Sequence, residues 1–185
     1  MSNCRSNITL LSGVGVVVTP CAEIKDLGSS SDNLQSPEDL NRQALVAIAS
    51  KQQRQARSLL NQALALCVEG TVAELFAGKR VDMLQMRAVT LCNYSLLLRT
   101  TKKYRLALEM MEECISMEES LEMSSPASAL NLSALLLELH RCEEALLIAR
   151  RAARLSIDNP ALRDRASQHL VVCKAAYEKI QKRHQ

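Results

Sequence analysis

The sequence predicts an all-α chain, an α-solenoid of helix–turn–helix repeats ending in a capping helix. Three observations carry that expectation. The 185 residues include five Gly and four Pro, and 48% are hydrophobic while only 2% are aromatic. A core drawn from Leu, Ala, Met, Val and Cys suits close helix packing better than a β-sandwich. Beyond residue 36, apolar residues recur at three- and four-residue intervals, which puts them on one face of a helix. Finally, LCNYSLLLRTTKKYRLALEMMEECI, from Leu91, has a counterpart in ALNLSALLLELHRCEEALLIARRAA, from Ala129. Asn93 aligns with Asn131, Ser95 with Ser133, Leu98 with Leu136, Ala107 with Ala145 and Cys114 with Ala152, at a constant offset of 38 residues. Self-similarity at that period marks helical hairpins that stack on one another, since one hairpin alone cannot bury its apolar face.

Residues 1–35 read as a disordered or weakly ordered leader. They contain the apolar run ITLLSGVGVVVT, Ile8 to Thr19, followed by the Ser- and Gly-bearing KDLGSSSDNLQ. The run is shorter than the ~20 residues a bilayer-spanning helix needs. With Arg5 ahead of it and small residues behind, it faintly resembles a signal-peptide core, so secretory or organelle targeting through residues 1–22 stands as the alternative to a cytoplasmic location.

The helical domain covers residues 36–184. Three polar-Pro steps punctuate it: Ser36-Pro37, Ser125-Pro126 and Asn159-Pro160. A side chain that can accept from the first turn, then Pro at the first helical position, is a helix start. The domain divides into a degenerate repeat at 37–68, an insertion at 69–82, repeats at 83–122 and 126–157, and a capping helix at 160–183. Gly70 and Gly78 are read as breaks around a short piece containing Leu75 and Phe76. The degenerate repeat keeps the spacing of the others through Ala56 and Ala63, which correspond to Ala107 and Cys114. The last helix carries a stripe of Leu162, Ala166, Leu170, Cys173, Tyr177 and Ile180 with basic residues elsewhere, as a solvating end cap would.

Small residues interrupt the Leu and Met runs at Ser95, Ala107 and Cys114 for a packing reason. Helix axes approach to ~8 Å only where the contact residues are small. Ser95 with Ala107, and Ser133 with Ala145, are therefore expected at the crossing of the two helices within each hairpin.

In these positions the chain resembles the tetratricopeptide repeat, through Leu91, Tyr94-Ser95, Leu98, Tyr104, Ala107, Met111 and Cys114. The next unit matches through Ala129, Leu132-Ser133, Leu136, Ala145, Ala149 and Ala152. The Asn ahead of Tyr or Leu and the Leu triplet are most similar to the longer repeats of the kinesin light chain type. Lys102 and His140 stand where the family usually has a turn glycine. The resemblance implies a concave groove lined by the first helix of each unit. Carried over, its residues are Val89, Cys92, Asn93, Leu96 and Arg99, then Ala127, Leu130, Asn131, Ala134 and Leu137. Asn93 and Asn131 would either hold the backbone of an extended peptide or tie neighbouring helices together. The Lys- and Asn-bearing set by which some members clamp chaperone C-termini is missing, since Asn41 and Leu45 stand there, and no tight binding of such peptides is expected.

The remaining composition narrows the function classes. A formal net charge of +3 is too small to argue for nucleic acid. It is unevenly spread, with nine Glu against two Arg from Arg105 to Glu144 and eight Lys or Arg against three acids from Arg151 to Gln185. Seven dispersed cysteines show no metal-ligand spacing and read as small buried hydrophobes in a reducing compartment. His140, His169 and His184 are isolated, and SGVG lacks the Lys of a phosphate loop. The expected function is a non-catalytic adaptor with no cofactor, no metal and no membrane span, displaying a mostly apolar groove to a partner peptide or amphipathic helix. The alternative is a structural subunit of a larger helical or cytoskeletal assembly, with self-association.

Overall fold

The computed structural model describes residues 35–74 and 80–182. Their regular structure is entirely helical: α1 (Pro37–Ala49), α2 (Gln53–Glu74), α3 (Arg80–Thr100), α4 (Tyr104–Ser120), α5 (Pro126–Glu138), α6 (Cys142–Leu155) and α7 (Pro160–Gln181). The expected leader lies outside the described residues except for Gln35, as do Leu75, Phe76 and Gly78.

Each polar-Pro step starts a helix as its chemistry dictates. The side chain of Ser36 accepts from the Asp39 N–H at 3.2 Å, Ser125 from the Ser128 N–H at 3.3 Å, and Asn159 from the Leu162 N–H at 3.2 Å. Pro37, Pro126 and Pro160 follow, where a missing N–H costs nothing. Caps of this kind each contribute about 1 kcal/mol.

The helix ends use a device that the residue types hide. Lys51, Lys102 and His140 have φ of 60°, 59° and 60°, left-handed values that favour glycine. In each turn the following N–H reaches back to a carbonyl five residues earlier: Gln52 to Ala47 at 2.8 Å, Lys103 to Leu98 at 2.9 Å, Arg141 to Leu136 at 2.9 Å. These are Schellman closures. Glu122, with φ 54°, makes a fourth between α4 and α5. The first three stand at the same relative place before Ala56, Ala107 and Ala145, so the turn of α1–α2 repeats the turns of α3–α4 and α5–α6 despite its divergent sequence.

Each helix packs on the next, and α1 also touches α3, α3 touches α5, and α5 touches α7. Arg151 on α6 also reaches Glu119 on α4 at 3.8 Å, and among the described residues helices three or more apart in the chain do not pack on one another. The core is accordingly a string of clusters, from Leu40, Ala44 and Leu60 at one end to Ala145, Ala149 and Cys173 at the other. Ala56, Ala63, Ala107, Cys114, Ala145 and Ala152 are all fully buried. The Ser95 hydroxyl donates to the Ala107 carbonyl at 2.8 Å, and Ser133 to Ala145 at 2.7 Å, the same bond in successive hairpins.

One expected boundary shifts. The insertion at 69–82 is helical at both ends, because α2 continues to Glu74 and α3 begins at Arg80. Gly70 lies inside α2 and does not break it; one glycine costs a helix only about 1 kcal/mol relative to Ala, less than the packing of this long helix on its neighbours returns.

Two stability measurements check this account. Ala107→Leu should overpack the α3–α4 crossing and cost about 1–3 kcal/mol in a denaturant melt. Lys102→Gly and His140→Gly should each stabilise by about 0.5–1 kcal/mol, because glycine adopts the left-handed turn without a Cβ clash.

Candidate functional site

The first helix of each hairpin, together with α7, forms one face of the stack. Register across it follows from the turns and caps. Ile48, Arg99 and Leu137 are equivalent through the turns at Lys51, Lys102 and His140, and Val171 joins them through the matching starts at Pro126 and Pro160. The same relation aligns Leu45, Leu96, Ala134 and Gln168.

The ten residues expected to line a groove fall into two groups on this face. Cys92, Asn93, Leu96 and Leu130 are buried between helices, whereas Val89, Arg99, Ala127, Asn131, Ala134 and Leu137 are partly exposed. The two amides bond within the stack. Asn93 Nδ2 donates to Asn41 Oδ1 at 2.8 Å, and Asn41 Nδ2 donates to Thr90 Oγ1 at 2.7 Å, joining α1 to α3. Asn131 Nδ2 donates to the Cys92 sulfur at 3.2 Å, joining α3 to α5. The partly exposed residues therefore define the accessible surface.

Helix α7 extends that surface. Val171, 68% exposed, and Val172 lie off its buried stripe of Leu162, Ala166 and Cys173. Sequence reasoning took α7 as a cap, with a basic docking helix as the competing reading, and placed neither valine in the groove. The signal was present in the position of Val171, equivalent to that of Leu137.

Two polar clusters adjoin the face. His169 Nε2 lies 3.0 Å from Ser133 Oγ and 3.4 Å from Cys173 Sγ, fastening α7 to α5. Burial and the nearby Arg99 charge hold the imidazole below its ordinary pKa. Arg99 is held below the usual guanidinium range by its own burial, against the opposing influence of Glu138 and Tyr104. Behind the face, between α4 and α5, the buried Glu118 carboxylate accepts from Ser128 Oγ at 2.5 Å and from the Ser125 N–H at 3.4 Å. Desolvation raises its pKa despite those bonds and the Arg151 charge. The cavity beside it, lined by Glu118, Ser125, Leu132 and Arg151 among others, measures about 10 Å³, room for at most one water.

Cys67, Cys92, Cys114, Cys142 and Cys173 are all buried thiols. Cys114 is pushed far up in pKa by its bond with Cys92 and by burial, which removes it from thiolate chemistry. Among the described residues, no group of three His, Cys, Asp or Glu side chains is placed to hold a metal. No helix of the described residues is long and apolar enough to cross a membrane. What the face offers is an apolar surface that includes the half-buried cations Arg99 and Arg165. In comparisons with known proteins, no family model, no curated protein and no solved structure matches this chain.

His169 makes acid sensitivity measurable. Its folded-state pKa is depressed, so the unfolded chain binds more protons below the ordinary value of 6.5. The neutral imidazole's contribution is complete above that value and is lost as pH falls through the folded one. Glu118, with a raised pKa, acts in the opposite sense. Stability should therefore decline more between about pH 7 and about pH 5 in the wild type than in His169→Gln, and equal slopes in urea titrations would contradict the assignment.

Proposed function

We propose that the chain is a non-catalytic adaptor, a tetratricopeptide-like α-solenoid that presents the α1–α3–α5–α7 face to a peptide or amphipathic helix of a partner protein. The observation that carries this reading is the row of equivalent, partly exposed positions Ile48, Arg99, Leu137 and Val171, with Leu45 and Ala134 beside it. An apolar strip interrupted by Arg99 suits a partner's aliphatic side chains, each contributing about 1.5–3 kcal/mol when fully buried. Rigid neighbours held by Ser95, Ser133 and the two amides add preorganisation, which lowers the entropy lost on association. A reducing, cytoplasmic setting belongs to this reading, because the described cysteines are buried as thiols.

A second reading, a subunit of a larger helical assembly, has support in Leu106 on α4 and Leu147 on α6, which are exposed on the second helices of their hairpins. One experiment separates the two. Peptides selected from a random display library against the intact chain should compete for a single site. They should lose about tenfold or more in affinity on Leu137→Glu while ignoring Leu106→Glu. Binders sensitive only to Leu106→Glu, or a failure to enrich any peptide from a chain that sediments as an oligomer, would overturn the adaptor reading.

A further inference from the structure

Helix α7 keeps apolar side chains on a side that no other described helix covers. It packs on α5 and α6 alone, burying Leu162, Ala166 and Cys173. On its far side Val171 is 68% exposed and Val172 45%. β-Branched residues are among the weaker helix formers, so a face turned only to water gains nothing from two in succession. With 3.6 residues per turn, Asp164, Gln168, Val171, Val172, Ala175 and Lys179 fall on one stripe along this side, and all six are exposed. Their spacings of four, three, one, three and four residues read the same from either end.

We propose that this stripe is a self-association surface, on which a second copy of the chain lays its own α7 antiparallel about a two-fold axis between Val171 and Val172. Such a contact uses the same patch on both copies. Val171 then meets Val172, Gln168 meets Ala175 and Asp164 meets Lys179, each pair occurring twice. Ala175 is small enough to receive Gln168, which lets the two axes approach to ~8–10 Å. Just off the stripe Arg165 stands opposite Glu178 in the same register. Opposite charges thus meet at both ends, whereas a parallel pairing would set Asp164 on Asp164 and Lys179 on Lys179. Within one chain Asp164 has only its neighbour Arg163, at 3.9 Å, and Lys179 makes no ion pair among the described residues. A partner of uniform charge, an anionic membrane included, would be repelled at one end of the stripe.

One helix of 22 residues is about 33 Å long, and two of them in contact bury less than the about 1,200 Å² at the low end of specific interfaces. The dimer is therefore weak and reversible, with a dissociation constant on the order of 10–100 μM. The pairing goes beyond the adaptor reading and does not rest on it. It takes Val171 from the end of the apolar row and leaves Ile48, Arg99 and Leu137, which belong to other helices, outside the contact.

Sedimentation equilibrium of the full chain from about 5 to about 500 μM should show a monomer–dimer equilibrium. Val172→Glu should weaken it at least about tenfold while leaving the melting temperature of the dilute monomer unchanged, because the side chain is exposed; Leu106→Glu should leave the equilibrium as it is. Asp164→Lys and Lys179→Glu should each weaken it, since each sets like charges opposite one another twice. An equimolar mixture of those two variants should recover it, and so should one chain carrying both changes, because every lysine then faces a carboxylate. A chain that stays monomeric, a dimer indifferent to Val172→Glu, one lost on Leu106→Glu, or a mixture no better than its components would each overturn the proposal. A monomer whose melting temperature falls on Val172→Glu would overturn it too, by showing the face covered within one chain. The dependence of library-selected peptides on Leu137 decides the adaptor reading separately from all of these results.

Discussion

Everything in this molecule is positioned by a close approach of two helices around a side chain too small to keep them apart. At Ser95 and Ser133 the hydroxyl crosses the gap and donates to the carbonyl of Ala107 or Ala145, so the crossing is fixed in translation as well as in distance. Leu98 and Leu136 fill the space alongside. A bulkier residue at the alanine would separate the axes, and a serine without an acceptor would leave a buried hydroxyl unsatisfied at about 1–3 kcal/mol. In the first hairpin Ala44 occupies the serine's position without a hydroxyl, and packing alone holds the crossing with Ala56.

Much of this was legible from residue types. The Ser-Pro and Asn-Pro steps announce three helix starts because capping chemistry is local, needing only residues three apart. The alanine and serine register is legible because a small residue amid leucines has few explanations other than close contact. What could not be read depends on longer-range balance. Gly70 looked like a break, yet α2 runs through it because the cost of one glycine is small beside the packing of a whole helix. Lys51 gave no hint of a left-handed turn, and at Lys102 the one pointer was the glycine that the resembling repeats carry there, since the conformation is imposed by the flanking helices and not by the lysine.

The candidate site was legible in part. The expected groove positions lie on α3 and α5, but a sequence motif cannot say which of two neighbouring residues on a helix is pressed against the adjoining one, and four of the ten are buried. Asn93 and Asn131 are a clear instance. An amide reads equally well as a hook for a ligand or a tie between helices, and here both make bonds inside the stack. The polar contacts joining successive first helices run from Asn41 through Asn93, and from Cys92 through Asn131, with Ser133 and His169 continuing to α7. Val171 and Val172 escaped notice because the stripe around Cys173 is apolar enough to account for the helix without them.

Contacts confined to adjacent helices have an energetic consequence. A globule with one centre loses everything together, whereas elements that lean mainly on their neighbours, as the described helices do, accumulate free energy more nearly as a sum. A helix packed on one side only opens more readily than one flanked on both. Among the described residues helix α7, fastened to α5 through Ser133 and His169, packs on α5 and α6 alone, and it carries Val171, 68% exposed. Among the described residues the face is thus backed by more helices at α3, which packs on α1, α2, α4 and α5, than at α7.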